Sequence, residues 1–283
     1  MTCPLRTWSL KKPSWSKYQR AGMELQAPPG WQSADFISDL HLQASDRRTF
    51  SAWAAYMQGT QAEAVFILGD LFEVWVGDDA AQVAGSFEAE CVSVLRQAGK
   101  RLALFILQGN RDFLMGPDLM QACHATALPD PSVLVFAGQR WLLSHGDALC
   151  VDDRDYQAFR QQVRSPEWQE AFLSKPLAER QSIARGIRQA SASRKLETAE
   201  YADVDSTAAL ALLAQTRAPH LLHGHTHKPG QHQLAVDKVR TVLSDWDVNA
   251  RPARAEVLRI AVQAGGLPTV RRLPALSIAK PAD

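Results

Sequence analysis

The sequence predicts an α/β fold built from parallel βαβ units, on three observations. Short apolar runs recur along residues 34–227, and each stops abruptly at an Asp, Asn or His. Stretches of helical periodicity lie between the earlier runs, which implies crossover connections and a parallel sheet. The abrupt polar stops fall at the carboxyl ends of the runs, where open α/β sheets gather their functional groups.

Taken in order, ADFISDLHL (34–42) ends in Asp39 and His41, and AVFILGD (64–70) ends in Asp70. LALFILQGNRD (102–112) delivers Asn110, RWLLSHGD (140–147) delivers His145, and HLLHGHTH (220–227) delivers His225 and His227. Continuous apolar runs of this length read as strands buried on both faces. Between the first two, Phe50, Trp53, Ala54 and Met57 share one face by i, i+3, i+4, i+7 spacing, and Phe87 to Leu95 repeats the pattern. Residues 154–195 hold no strand-like run. Their apolar residues recur at helical intervals, Pro166 and Pro176 divide them, and nine basic residues face four acidic ones. A helical insertion that is apolar on one side and basic on the other suits a lipid-handling surface, or else an ordinary solvated pair of helices docked on the core. After residue 230, QLAVDKVRTVL and AEVLRIAV read as further strands completing a second sheet, and the tail 274–283 is expected to fray.

Residues 1–30 differ from the rest, being basic, rich in Pro, Ser and Trp, and without an unbroken apolar segment. They make a poor secretory signal and are expected to form a disordered leader, with Met23 an alternative start just before the first strand. That leaves 31–273 as one domain carrying the insertion. Its composition, 46% hydrophobic and 22% charged, can fill a sizeable core without a staple. Lys and Arg total 31 against 30 for Asp and Glu, so whole-chain charge gives no argument for an acidic partner. Cys3, Cys91, Cys123 and Cys150 are scattered without a Cys-x-x-Cys pair, which argues against a disulfide framework or a zinc knuckle. No apolar run approaches the roughly 18–20 residues that span a bilayer, so any meeting with membrane lipid is expected at the surface.

Two D-x-H and H-x-H pairs on extended chain, joined by Asp70, Asn110 and His145, supply four imidazoles, two carboxylates and one amide oxygen. A carboxylate can bridge two ions, which makes Asp70 the candidate bridge. Nitrogen and oxygen donors without a thiolate favour ions such as Mn, Fe, Co or Zn. His223 is expected beside the ligands rather than among them. Asp147 is expected to orient a ligand histidine or to cap a turn, and Asp112 to cap the following helix.

The ordered set D-x-H, GD, GNRD, HGD and GHTH resembles the calcineurin-like metallophosphoesterases over roughly residues 35–230. The resemblance implies a four-layer αββα sandwich with a helical lid insertion. One ion would be held by Asp39, His41, Asp70 and His227, and a second by Asp70, Asn110, His145 and His225. In such pairs the ions lie ~3.5–4 Å apart and share a water that attacks phosphorus in line. Arg111 would hold a phosphate oxygen, whose geometry matches guanidinium.

The runs between the motifs, above all FEVWVGDD after Asp70 and CVDDRDYQAFR leading into the insertion, are similar to the UDP-2,3-diacylglucosamine hydrolase family of lipid A synthesis. That resemblance implies two Mn²⁺ ions (or other divalent transition ions) and a lipid-linked UDP-sugar substrate. It further implies a peripheral position on the cytoplasmic side of the inner membrane and water attacking the α-phosphate to release UMP. Substrate contacts would fall on Asn110, Arg111, Asp153, Ser191 and His225. The family's Ser, Asn and Lys pattern is altered here to SASRKLET, so Lys195 stands at the Asn position and can substitute for the missing Lys. No nucleic acid beyond the uridine nucleotide and no protein partner is expected. The alternatives are a metallophosphoesterase for a soluble phosphodiester, nucleotide or phosphoprotein, and a non-enzymatic scaffold, against which the undamaged ligand set argues.

Overall fold

A computed structural model describes residues 23–197, 203–263 and 268–278, with the side chains of 189–197 left out of that description. Four parallel strands form the heart of the first sheet: β2 (Ser33–Ile37), β3 (Ala64–Leu68), β4 (Ala103–Leu107) and β5 (Ala125–Leu128). Helices α1 (Arg47–Gly59), α2 (Phe87–Gly99) and α3 (Pro117–Cys123) follow the crossover order read from the sequence. Asp46 and Ser86 start the first two by accepting a hydrogen bond from the backbone N–H three residues on, and Pro117 opens the third.

The continuous apolar runs divide between two cores by simple alternation. Along β3, Val65 and Ile67 point to the helices, where Trp53, Tyr56, Met57 and Leu95 meet them. Ala64, Phe66 and Leu68 point inward to the second sheet. There Phe66 stacks between Phe36 and Phe105 with ring centroids 4.9 and 4.6 Å apart, and Trp31 meets two of these three rings edge-on.

The second sheet holds β6 (Ser132–Phe136), β7 (Gln139–Leu143), β8 (His220–His223), β9 (Gly230–Ala235) and β10 (Lys238–Val242). Its outer face is covered by α7 (Ser206–Thr216), whose Ala209 and Leu213 pack on Val133, Leu142 and Leu221. Helices, sheet, sheet and helix make the four-layer αββα sandwich.

Three expectations need correction. β1 (Met23–Gln26) pairs in parallel with β6, so the segment expected to be a leader is ordered from Met23, while residues 1–22 lie outside the described residues. β11 (Glu256–Val262) and β12 (Pro268–Pro274) extend the first sheet beside β2 rather than completing the second. The reason is electrostatic as well as apolar: Arg259 on β11 grips the buried Asp35 of β2 through Nε and Nη2 at 2.7 and 2.9 Å. Finally, the expected frayed tail begins with α8 (Ala275–Ile278), whose Ala275 is fully buried in the helical core.

The insertion is three helices, α4 (Arg154–Val163), α5 (Pro166–Leu173) and α6 (Leu177–Glu197). Pro166 starts α5, and Pro176 separates α5 from α6, because proline cannot continue a helix but suits its first turn. Its apolar side docks on the helical core through Trp168, Phe172, Leu177 and Ile183.

Candidate metal centre

Five strands from both sheets end at one rim, and each expected ligand lies a few residues beyond one of them: Asp39 and His41 after β2, Asp70 after β3, Asn110 after β4, His145 after β7, His225 and His227 after β8. All seven come together. His41 Nε2 lies 3.2 Å from His227 Nε2 and 3.8 Å from Asp70 Oδ2. His227 Nε2 is 3.5 Å from Asp39 Oδ1. His145 Nε2 is 3.6 Å from Asp70 Oδ1, and Asn110 Oδ1 sits 2.9 Å from both His145 Nε2 and His225 Nδ1. Asp70 therefore stands between the two groups, as a bridge must.

The route to this convergence differs from the expected one. The pairs do not lie on extended chain with alternate side chains aligned. Asp39, His41, Asp70, His225 and His227 all adopt left-handed backbone, with φ between 48° and 68°. Hydrogen bonds hold these turns: Asp39 N and His41 N donate to the carbonyls of Gly69 and Asp70, and His225 N donates to the Asp39 carboxylate at 2.9 Å. Glycine is required beside them. A Cβ on Gly109 would collide with the carboxylate of Asp70, and one on Gly224 with that of Asp39.

The electrostatics suit a cation. Burial raises the pKa of the Asp39 carboxyl, but the His227 hydrogen bond and nearby imidazoles outweigh it and hold the group well below the carboxylate range. Burial lowers His145, yet Asp70, Asp39 and Asp147 raise it to about 9. Burial and the charge of His145 push His225 down to about 4. A spot that draws a proton onto a fully buried imidazole will draw a divalent ion, and the oxygen and nitrogen donors around it fit Mn, Fe, Co or Zn. The residues present thus fit a two-ion centre.

Arg111 lines the same cavity, its Nη1 3.7 Å from Glu73 Oε1, while its backbone N–H donates to Asp70 Oδ1. Glu73, not singled out in the sequence, gathers three partners. Its Oε2 lies 2.7 Å from His41 Nδ1, off the line of an aligned hydrogen bond, and its Oε1 pairs with Arg111 and with Arg188 of α6. Burial raises its pKa, but His41 and the two arginines bring it down to about 2. Nothing in the sequence marks it except its place in the FEVWVGDD run.

Other expectations resolve differently. Asp112 caps no helix: α3 starts at Pro117. Its buried carboxylate accepts from the N–H groups of Gly109, Leu71 and Phe72, tying the Asn110 loop to the Asp70 loop. Asp147 accepts from Tyr156 OH at 2.6 Å and Arg160 Nε at 2.8 Å, and so anchors α4. His223 is fully buried with Nδ1 2.8 Å from Gly224 O, beside the ligands as expected. Asp153, expected at the substrate, is the N-cap of α4, accepting from Tyr156 N. Ser191 and Lys195 fall on α6, where side chains are outside the described residues. Cys91, Cys123 and Cys150 are buried free thiols, and Cys3 lies outside the described residues.

Residues 34–229 match the calcineurin-like phosphoesterase family. A protein of Aromatoleum aromaticum named UDP-2,3-diacylglucosamine hydrolase is 44% identical over 77% of this chain and 91% of its own length. One of the same name in Chromobacterium violaceum is 43% identical over 75% and 89%, and another in Stenotrophomonas maltophilia is 37% identical over 84% and 98%.

Proposed function

The chain belongs to the calcineurin-like phosphoesterases, and within them to the UDP-2,3-diacylglucosamine hydrolases; from that premise we propose that it cleaves the pyrophosphate bond of UDP-2,3-diacylglucosamine in a metal-dependent reaction, giving UMP and 2,3-diacylglucosamine 1-phosphate. The observation that carries this reading is the convergence of seven nitrogen and oxygen donors from five strand ends, with Arg111 beside them in one cavity.

Asp39, His41, Asp70 and His227 would hold one ion, and Asp70, Asn110, His145 and His225 the other, with Mn²⁺ the proposed species. When bound, such ions activate water and neutralise charge developing on phosphoryl oxygens. The chain's own groups do the rest. The Arg111 guanidinium orients a phosphoryl oxygen and adds positive charge where the transition state gains negative charge. Glu73 fixes the His41 ring and holds Arg111 in reach until substrate arrives. The stacked ring of Tyr156, 6.1 Å from that of His225, shields the His225 side from water.

The insertion 154–197 is the proposed lid over the lipid half, with Asp153, Ser191 and Lys195 as its substrate contacts. No helix among the described residues is long and apolar enough to cross a membrane. We therefore place the protein peripherally at the cytoplasmic face of the inner membrane, where Arg154, Arg185 and exposed Leu173 offer a basic and apolar surface to anionic headgroups.

The test is direct. Purified protein given Mn²⁺ and UDP-2,3-diacylglucosamine should release UMP. Turnover of bis-p-nitrophenyl phosphate with no UMP from the lipid would transfer the reading to a soluble phosphodiester.

A further inference from the structure

The cavity at the metal centre is larger than the centre itself. About 640 Å³ in volume, it lies within the ~300–1,000 Å³ usual for small-ligand sites. It runs from the ligands along the loops that follow β2, β8 and β10, past Gln43, Asp46, Lys228, Asp245, Asp247 and Arg254. None of its described lining residues comes from α4, α5 or α6.

This trough is polar throughout. Acyl chains laid in it would bury charged and amide groups without partners, at about 1–3 kcal/mol for each neutral group and more for each charge. Its chemistry instead matches a nucleotide. The Gln43 side chain makes no hydrogen bond among the described residues and offers both a donor and an acceptor. Lys228 is half exposed, with its nearest carboxylate, Asp203, 4.0 Å away. Asp247 Oδ2 has a single partner, Arg254 at 3.4 Å, which leaves lone pairs for a sugar hydroxyl. Two further donors are buried in the trough wall without a partner among the described residues, Thr226 Oγ1 and Trp246 Nε1, on residues 7% and 4% exposed.

We propose that this trough is the subsite for the uridine nucleotide half of the substrate, with Gln43 and Lys228 as recognition side chains. A uracil edge presents acceptor, donor and acceptor in a row. The Gln43 amide answers the donor and one acceptor, Lys228 answers a carbonyl, and Asp247 takes the ribose diol. Hydrolysis then leaves UMP in the trough and the lipid phosphate on the side of the insertion, so the two products depart in opposite directions. The inference rests on the substrate proposed above.

Calorimetry on the Mn²⁺-loaded full-length protein separates the two. The double variant Gln43→Ala, Lys228→Ala should bind UMP about ten-fold more weakly, the loss expected for one charged and one neutral hydrogen bond. Its affinity for 2,3-diacylglucosamine 1-phosphate should stay as in the wild type. Both side chains are exposed and support no other residue, so the fold is retained. Unchanged UMP affinity, no measurable UMP binding to the wild type, or a loss confined to the lipid phosphate would each overturn the subsite. The substrate reading fails on a different observation, the absence of UMP release by the wild type.

Discussion

Asp70 faces a ligand histidine with each carboxylate oxygen, Oδ2 toward His41 and Oδ1 toward His145. Asp70→Ala should therefore leave fewer than two ions per chain by inductively coupled plasma analysis and abolish turnover, while circular dichroism shows the fold intact. Arg111→Ala should cost roughly 2–4 kcal/mol of transition-state stabilisation, read as a fall in kcat/KM. The pH dependence has a separate source away from the centre. His220 stacks on Trp141 at 4.4 Å, and burial together with Lys238 holds its pKa below 6.5. Below 6.5 the unfolded chain takes up a proton that the folded chain refuses, so stability falls as pH drops through that window. His220→Gln should flatten the slope of unfolding free energy between about pH 7 and 5, measured with urea. At this scale the sequence was informative wherever a residue carries its own chemistry. All seven donors could be read because each ends an apolar run. Glu73 and Asp112 could not, since their roles come from partners distant along the chain, such as Arg188 for Glu73 and Leu71 for Asp112.

Strands and helices were legible from periodicity, and the proline breaks at 166 and 176 fell where helices change. The placement of β11 was not, because a strand with one apolar face can join either sheet. The Asp35–Arg259 pair that decides it links residues 224 positions apart. How the insertion is fastened was equally hidden. Arg180 is almost fully buried and donates from Nη1 to Val76 O and Asp79, and from Nε to Lys175 O. It thus clamps α6 to the loop that follows Asp70. Arg180→Ala should strand the Val76 carbonyl and open the insertion. Limited proteolysis should cut first near residues 174–177, between α5 and α6, while the sandwich resists.

Across the whole molecule, stability rests on the apolar layer between the sheets, where Phe66 is fully buried between Phe36 and Phe105. Phe66→Ala should cost about 3–5 kcal/mol, seen as a lower denaturation midpoint with kcat per folded molecule little changed. The four-layer architecture was readable from motif order. The division of one apolar run between two cores was not, because both faces of such a strand look alike in sequence. The left-handed turns at five of the seven metal ligands carry a consequence for how this chain can change. Each holds a side chain in a conformation costing of order 1 kcal/mol or more, least for the two aspartates, that glycine would relieve, yet glycine has no donor to offer. A lineage released from catalysis should therefore drift toward glycine or asparagine at these positions and gain heat resistance as its chemistry decays.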